Sequence, residues 1–415
     1  MNKITRTGVT ICRLLVGVIF VFSGFVKAID PLGSTYKIVD YFDAFGVGFL
    51  EPMALYAGAL QNAVELAIGL CLIIGVRMKI TAWALMLFML FYTVLTFFLA
   101  IFNPVSDCGC FGDAIKLTNW ETFFKNLILL ALTLIIFSVR NKYRRLAGAA
   151  QEWLYVLLFI VGSLALSLHC YKHLPPLDFM EYHVGQHLPT AMSVPDDAPR
   201  DEYSTVLIYA KDGKEQEFSE TDFPWQDTTW VFVDSRSELV KKGYTPPVHN
   251  FSIVHHLNGD ITDEVLAAEY AFLLVAPKLE KLNQPDLEAS KNIAALAKER
   301  GYTFLGLTAS TQGYAGEFCS NHMLNFEFCS TDETTLKSMV RSNLGLMLLH
   351  RGIVVGKWSN FDIPSAEAFG ENLLASNLNM LRLSGENAAT NAFICAGIAV
   401  LLLLLLGCRR KTAKW

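Results

Sequence analysis

The chain has 415 residues, 53% hydrophobic and only 18% charged, with a formal net charge of −5. That balance excludes an ordinary soluble enzyme, the length implies two or more units, and the absence of a basic excess argues against nucleic acid as a partner. Residues 8–170 and 390–407 are nearly all apolar, whereas 171–389 has the composition of a soluble domain.

A helix needs about 20 apolar residues to cross a bilayer. Six stretches reach or approach that length, at 8–29, 52–76, 79–101, 121–139, 151–170 and 390–407. The first carries Arg13 near its start, a residue that either snorkels to the interface or contacts a cofactor such as a quinone. Lys27 and Asp30 share its outer end at the i,i+3 spacing of an ion pair, and Asp30-Pro31 ends the helix. The second holds Glu65 about 20 Å along its length. A charge at that depth costs about 2.5–3.5 kcal/mol, so Glu65 is neutral, paired or hydrated, with Gln61 and Asn62 within a turn. Two readings stay open for it: a proton relay or quinone contact, and a polar lock between helices.

Between the third and fourth spans lies SDCGCFGD (106–113). A disulfide tolerates Cα separations of about 4.4–6.8 Å, so Cys108 and Cys110 can close one, with Gly109 free to take the turn. Such a minimal ring stabilises little as a staple and suits the passage of oxidising equivalents. Inert thiols, a local bridge and half of a metal site remain alternatives, although zinc needs four ligands and no second pair is near. Thr118 and Glu121 have capping-box spacing, which starts the fourth helix near Asn119, and Trp120 suits the lipid–water boundary. The thiols therefore sit at the rim of the bilayer, within reach of a quinone or of a protein.

Basic residues mark one face. Lys3 and Arg6 precede the first span, Arg77 and Lys79 join the second to the third, Arg140, Lys142, Arg144 and Arg145 join the fourth to the fifth, and Arg409, Arg410, Lys411 and Lys414 close the chain. With six alternating spans all of these fall on one side, which the positive-inside rule makes cytoplasmic. The expected location is a bacterial inner (plasma) membrane with both termini cytoplasmic. The 30–51 loop, the Cys-Gly-Cys loop and 173–388 are then extracytoplasmic, on the oxidising side. Cys12, Cys71, Cys395 and Cys408 read as packing residues. Cys170 lies between His169 and His173 at the outer end of the fifth span, more as interfacial polar residues than as a metal site.

In the soluble region a Pro-, Asp- and Ser-rich lead-in (185–203) precedes strand-like runs at 204–210, 228–234, 270–276 and 302–308 and a hairpin at 345–358. Helical patterns lie at 285–300, bounded by Pro285 and Gly301, and in DETTLKSMVRS (332–342). That is an α/β order on a mixed sheet. Cys319 and Cys329 are expected to pair in an oxidising compartment, closing a short loop worth about 2–3 kcal/mol, or else to exchange with Cys108 and Cys110.

Two resemblances follow from these residues. RLLVGVIFVFSGFVKAIDPLG, the Glu65 helix and CGCFG make residues 8–140 resemble the MauE/DoxX family of four-helix membrane proteins. The matching positions are Arg13, Gly17, Ser23, Gly24, Lys27, Asp30, Pro31, Glu65 and 108–112. That likeness implies a redox-associated role, often in disulfide formation in partner proteins. Residues 245–365 resemble a thioredoxin-like extracytoplasmic domain. Two departures matter: Ala276-Pro277-Lys278-Leu279 stands where Cys-x-x-Cys would be, and Leu344 where the cis-proline would be. The domain lacks the thiolate pair that exchange requires and is expected to bind or present a partner.

The expected architecture is an α-helical membrane bundle with an extracytoplasmic α/β domain. Its parts are a four-helix membrane domain (1–145), a fifth span (146–172), the α/β domain (173–388) and a C-terminal span with a basic tail (389–415). The expected function is membrane thiol–disulfide redox chemistry through Cys108 and Cys110, with Glu65 assisting, Arg13 and Glu65 as quinone contacts, no metal, and an exported or envelope protein as partner. The alternative is a non-catalytic anchor or assembly factor that presents a degenerate thioredoxin-like domain in the cell envelope.

Overall fold

The computed structural model describes residues 3–382, apart from Ser106, Arg144, Asp196, Asp212, Glu220, Thr221, Trp225, Gln226, Thr228, Lys242 and 283–286. The expected span at 390–407, with Cys395, Cys408 and the basic tail, lies outside the described residues, as does Pro285.

Six helices build the N-terminal region: α1 (Lys3–Ile29), α2 (Pro31–Ala44), α3 (Ala54–Ile74), α4 (Met78–Phe102), α5 (Asn119–Ser138) and α6 (Ala149–Lys172). Among the described residues, five segments are long and apolar enough to cross a membrane: Arg6–Ile29, Gly48–Ile74, α4, α5 and α6. Close packing of α1 on α3 depends on glycine. A Cβ at Gly24 would lie 2.6 Å from the Leu66 nitrogen, and one at Gly69 would lie 2.6 Å from the Val21 nitrogen. Small residues let the two backbones approach, and that approach brings the C-terminal end of α1 beside the middle of α3.

The 30–51 segment, expected as a loop, is mostly helical. Asp30 does not merely end α1. Its carboxylate accepts from the Gly33 N–H (2.9 Å) and caps α2, and Pro31 takes the first helical position, where its missing N–H costs nothing. At α5 the expected capping box forms. Thr118 Oγ1 accepts from the Glu121 N–H (3.3 Å), and the Glu121 carboxylate accepts from the Thr118 N–H (2.9 Å).

The rest of the described chain is α/β. In order it contains α7 (Leu188–Met192), β1 (Glu202–Lys211), β2 (Lys214–Ser219), β3 (Val231–Lys241), β4 (Val254–His255), β5 (Gly259–Asp260) and α8 (Thr262–Ala267). Then come β6 (Tyr270–Ala276), α9 (Glu288–Arg300), β7 (Thr303–Thr308), α10 (Gln312–Asn321), β8 (Phe328–Ser330), α11 (Glu333–Met339), β9 (Gly345–His350) and β10 (Ile353–Ser359). Strands β1–β3 form a separate antiparallel sheet in the order β2-β1-β3. The others form a mixed sheet in the order β10-β9-β6-β7-β8-β4-β5. There β6 runs parallel to β7 (Leu273 beside Leu305), β7 is parallel to β8, and β9 is antiparallel to β6 (Met347 beside Leu273).

Every residue of the central strand β6 is buried, and its period of two feeds two cores. Ala271, Leu273 and Val275 pack with residues of α8 and α11, whereas Phe272, Leu274 and Ala276 pack with α9 and α10. The lead-in at 185–203 contains the short helix α7. The other elements that sequence patterning leaves out (β2, β4, β5, α8, β8 and α10) are short or weakly periodic.

Ion pairs seat the α/β region on one end of the bundle: Lys281–Glu51 (2.9 Å), Lys116–Glu181 (2.6 Å) and Arg341–Asp30 (3.1 Å). The same end carries α2 and the Cys-Gly-Cys loop. Arg77, Lys79, Arg140 and Arg145 gather at the other end.

Candidate thiol site in the membrane domain

The loop between α4 and α5 folds as consecutive tight turns. Gly109 N–H bonds the Asp107 carboxylate (2.9 Å), and Gly112 N–H bonds the Gly109 carbonyl (3.1 Å). Gly109 has φ of 63°, in the left-handed region, and a Cβ there would meet Lys37 Cγ at 3.0 Å. Glycine thus allows both the turn and the close passage of Lys37. The turn brings the Cys108 and Cys110 sulfurs to 3.1 Å.

Neighbouring helices fix this turn by its carbonyls. Tyr41 Oη of α2 donates to the Cys108 carbonyl (2.8 Å), and Ser23 Oγ of α1 donates to the Cys110 carbonyl (2.5 Å). Lys37 pairs with Asp107 at 2.8 Å. On the α5 side the Lys125 ammonium lies 4.3 Å from the centre of the Phe111 ring, a cation–π geometry.

The two thiols are electrostatically unequal. The Cys110 thiol is lowered to about 6, chiefly because the Cys108 thiol donates to its thiolate; burial opposes this, and the Lys125 and Lys27 ammonium groups add to it. The Cys108 thiol is pushed well above its ordinary value by holding that hydrogen bond and by burial. One thiolate, at Cys110, is therefore the reactive form at neutral pH.

Glu65 is ion-paired with Lys27 at 2.8 Å, and both side chains are buried. This corrects two expectations. Lys27 does not pair with Asp30, and the Asn62 amide bonds the Lys27 carbonyl (3.0 Å) and Ser34 Oγ (3.2 Å) instead of Glu65. The reason is tertiary: the glycine-mediated contact of α1 with α3 offers Lys27 a buried carboxylate, while Asp30 faces the α/β region. There Arg341, its side chain only 9% exposed, pairs with Asp30 at 3.1 Å and with Asp113 of the thiol loop at 2.6 Å.

A cavity of about 360 Å³ opens beside the thiols, lined by α1, α2, α3, α4 and α5 together with the thiol loop. Its walls are mostly aromatic and aliphatic, including Phe88, Phe91, Tyr92 and Leu95, and its polar lining next to Cys108 and Cys110 includes Lys27, Gln61, Glu65, Lys125 and Asn126. Apolar walls with a few convergent polar groups are the usual make-up of a small-molecule site. Lys27 and Gln61 present hydrogen-bond donors to this space.

Cys108, Cys110 and Glu65 thus come together, and Arg13 does not join them. It lies fourteen residues before Lys27 on α1, about 21 Å by helix rise, against the Tyr143 ring (5.9 Å) and Gly75. Arg13, expected as a quinone contact, does not line the cavity beside the thiols. Cys319 and Cys329, expected to bond, are separate thiols. Cys329 packs into the core on the α11 side of the sheet and Cys319 against the core on the α10 side, because Phe328 and Cys329 point to opposite faces. Neither approaches the Cys108 loop. His169 and His173 stack at 4.7 Å, and His173 Nδ1 contacts Asp362 (2.7 Å).

Sequence reasoning missed Lys37, Tyr41, Lys125, Asp113 and Arg341. A signal for the first two was present: Asp30-Pro31 is an N-cap followed by a first-turn proline. Arg341 left no local trace, because its partners are more than 200 residues away.

These features define a polytopic membrane protein with a paired-cysteine turn beside a buried ion pair. Residues 5–139 match the family described as "Methylamine utilisation protein MauE", which makes the N-terminal region MauE-like. Residues 203–242, the β1–β3 sheet, match a domain of unknown function (DUF8463). "Protein TlpB" of Flavobacterium psychrophilum is 27% identical over 137 residues, covering 31% of this chain and 36% of that protein. The alignment therefore reaches little more than a third of that relative's length. No solved structure matches.

Proposed function

We propose that the protein is a membrane thiol–disulfide redox protein in which Cys108 and Cys110 cycle between dithiol and disulfide. The carrying observation is the 3.1 Å thiol pair, with its lowered Cys110 thiol, set at the rim of an apolar cavity. In each turn the Cys108–Cys110 disulfide takes two electrons and two protons from two substrate thiols. A quinone bound in the cavity would accept two electrons and two protons from the resulting dithiol and leave as quinol. Lys27 and Lys125 hold the Cys110 thiolate, Lys27 and Gln61 line the quinone space, and Glu65 fixes Lys27.

The reading extends to topology. The segregation of Arg13, Arg77, Lys79 and Arg140 to the end away from the thiols supports a cytoplasmic basic end, an extracytoplasmic α/β region and a sixth span at 390–407. A thioredoxin-like core is supported by the strand order β7-β6-β9-β10, with β6 and β7 parallel and β9 and β10 antiparallel. Asn343 ties the loop after β6 to the loop before β9, giving and taking hydrogen bonds with Lys278 (3.0 and 3.3 Å). Leu344 sits buried at φ of 91°. This face carries no thiols of its own, and Arg341 close by in the chain pairs with Asp113 of the thiol loop. Those missing thiols favour a second reading, a non-catalytic envelope anchor.

The deciding experiment uses the purified full chain in lipid nanodiscs with a synthetic dithiol peptide and a short-chain quinone. Peptide oxidation coupled to quinone reduction is expected, and Cys108→Ala/Cys110→Ala abolishes it. Unchanged turnover in that double variant overturns the redox reading, and absent turnover in the native chain favours the anchor.

A further inference from the structure

A second, larger cavity of about 930 Å³ lies between the bundle and the α/β region. Its lining is polar and drawn from both parts: Asp107, Gly109 and Lys116 below, and His249, Thr334 and Ser338 above. The volume is at the upper end of the roughly 300–1,000 Å³ typical of ligand sites. His249, Asp332 and Thr334 at its edge are exposed, so water reaches it. The two cavities share Lys27, Ser34, Lys37 and Gly109 as lining. The thiol turn is therefore a partition, with an apolar chamber on one side and a wet one on the other. Lys37 is its door: its stem lies over Gly109, and its ammonium is latched to Asp107 by a half-exposed ion pair at 2.8 Å.

We propose that this wet chamber is the docking site for the reducing substrate, an extended cysteine-bearing segment of an exported polypeptide, and that Lys37 gates its access to the Cys108–Cys110 pair. The inference rests on the redox reading and adds a separate entrance for the water-soluble partner. Chamber size, polarity and mixed charge suit a peptide backbone. A substrate thiolate attacks Cys108 Sγ, the Cys108–Cys110 bond breaks, and Cys110 leaves as the thiolate, since the thiol of lower pKa is the better leaving group. The second substrate thiolate then attacks the substrate sulfur of the mixed disulfide and releases Cys108, which takes up the proton. Substrate disulfide departs and the dithiol remains, to be reoxidised from the apolar chamber.

The test separates the two entrances in nanodiscs. Ser338→Trp and His249→Trp each fill the wet chamber from a different wall, away from the thiols. Three rates are read: oxidation of a dithiol peptide, oxidation of free cysteine, and reoxidation of the pre-reduced pair by a short-chain quinone. Both variants are expected to slow the peptide about tenfold or more and to leave the quinone rate unchanged. Lys37→Met is expected to speed attack by both thiols. Slowing of the peptide and free cysteine alike upholds the chamber as the thiol entrance and names small thiols as a source. An unchanged peptide rate in both tryptophan variants, or equal slowing of the quinone step, overturns the proposal. If the pair does not cycle with quinone in the native chain, the redox reading itself fails, a result distinct from failure of the chamber.

Discussion

The Lys27–Glu65 pair offers the sharpest test of how the bundle is held together. At 2.8 Å and an effective dielectric near 20, the Coulomb attraction is about 6 kcal/mol. Burying both ions offsets most of that, but Lys27→Met alone strands a carboxylate that is only 5% exposed. Breaking a buried pair from one side costs about 3–5 kcal/mol, which is roughly 6–20 °C in melting temperature at ~2–4 °C per kcal/mol. Glu65→Met strands the lysine and is expected to cost as much. The double variant removes both charges, and apolar replacement of a buried pair is close to neutral or stabilising, so it should melt near the native chain or above it. The assay is thermal melting of the purified protein followed by circular dichroism at 222 nm, with thiol alkylation read in parallel. In the double variant stability returns, but Cys110 has lost the Lys27 ammonium that favours its thiolate, only partly offset by loss of the Glu65 carboxylate that opposes it, so its alkylation midpoint stays above the native one. Single variants that melt like the native chain, or a double variant less stable than either single, would refute the reasoning.

Four other outcomes can be checked. Alkylation of the reduced protein should titrate with a midpoint near pH 6 at Cys110, and Lys125→Met should move it upward; liquid chromatography and mass spectrometry of pH-jump samples reads both. The sign for stability is set by the same shift: between about 6 and the ordinary value of 9.0 the unfolded chain holds a proton that the folded chain has lost. Stability of the dithiol form should therefore rise across that window and fade as pH drops through 6, whereas the disulfide form should show no such slope. Gly24→Val drives a Cβ into the Leu66 backbone and should collapse detergent-solubilised yield, while Gly8→Ala, with nothing within 4 Å, should be silent; equal yields would discard the glycine seam. Arg341→Ala leaves Asp30 and Asp113 without their shared cation and should raise hydrogen exchange across 107–114. Arg341→Lys should rescue it only in part, because one ammonium does not reproduce a fork that reaches two carboxylates.

Much of the membrane part was legible because its signals are local. Apolar length marks a span wherever it occurs, and a capping box closes within four residues, so α5 could be started at Asn119 from Thr118 and Glu121. Cys108 and Cys110 were readable as a pair because they are two residues apart. The same locality misled at Asp30-Pro31, where the end of one helix and the cap of the next share residues, and at Cys319 and Cys329, where chain proximity suggested a bond.

Spacing along the chain thus determined the five apolar spans among the described residues, the thiol pair and the α/β order, since each depends on periodicity or on neighbours within a few residues. Tertiary structure alone decided what surrounds the thiols. Glycines on α1 and α3 give Lys27 to Glu65, the sheet sends Cys319 and Cys329 to opposite faces, and docking of the α/β region gives Arg341 to Asp30 and Asp113. Those pairings join residues from 38 to 311 positions apart, and a buried charge takes whichever partner the packed fold brings within reach, at whatever distance in sequence.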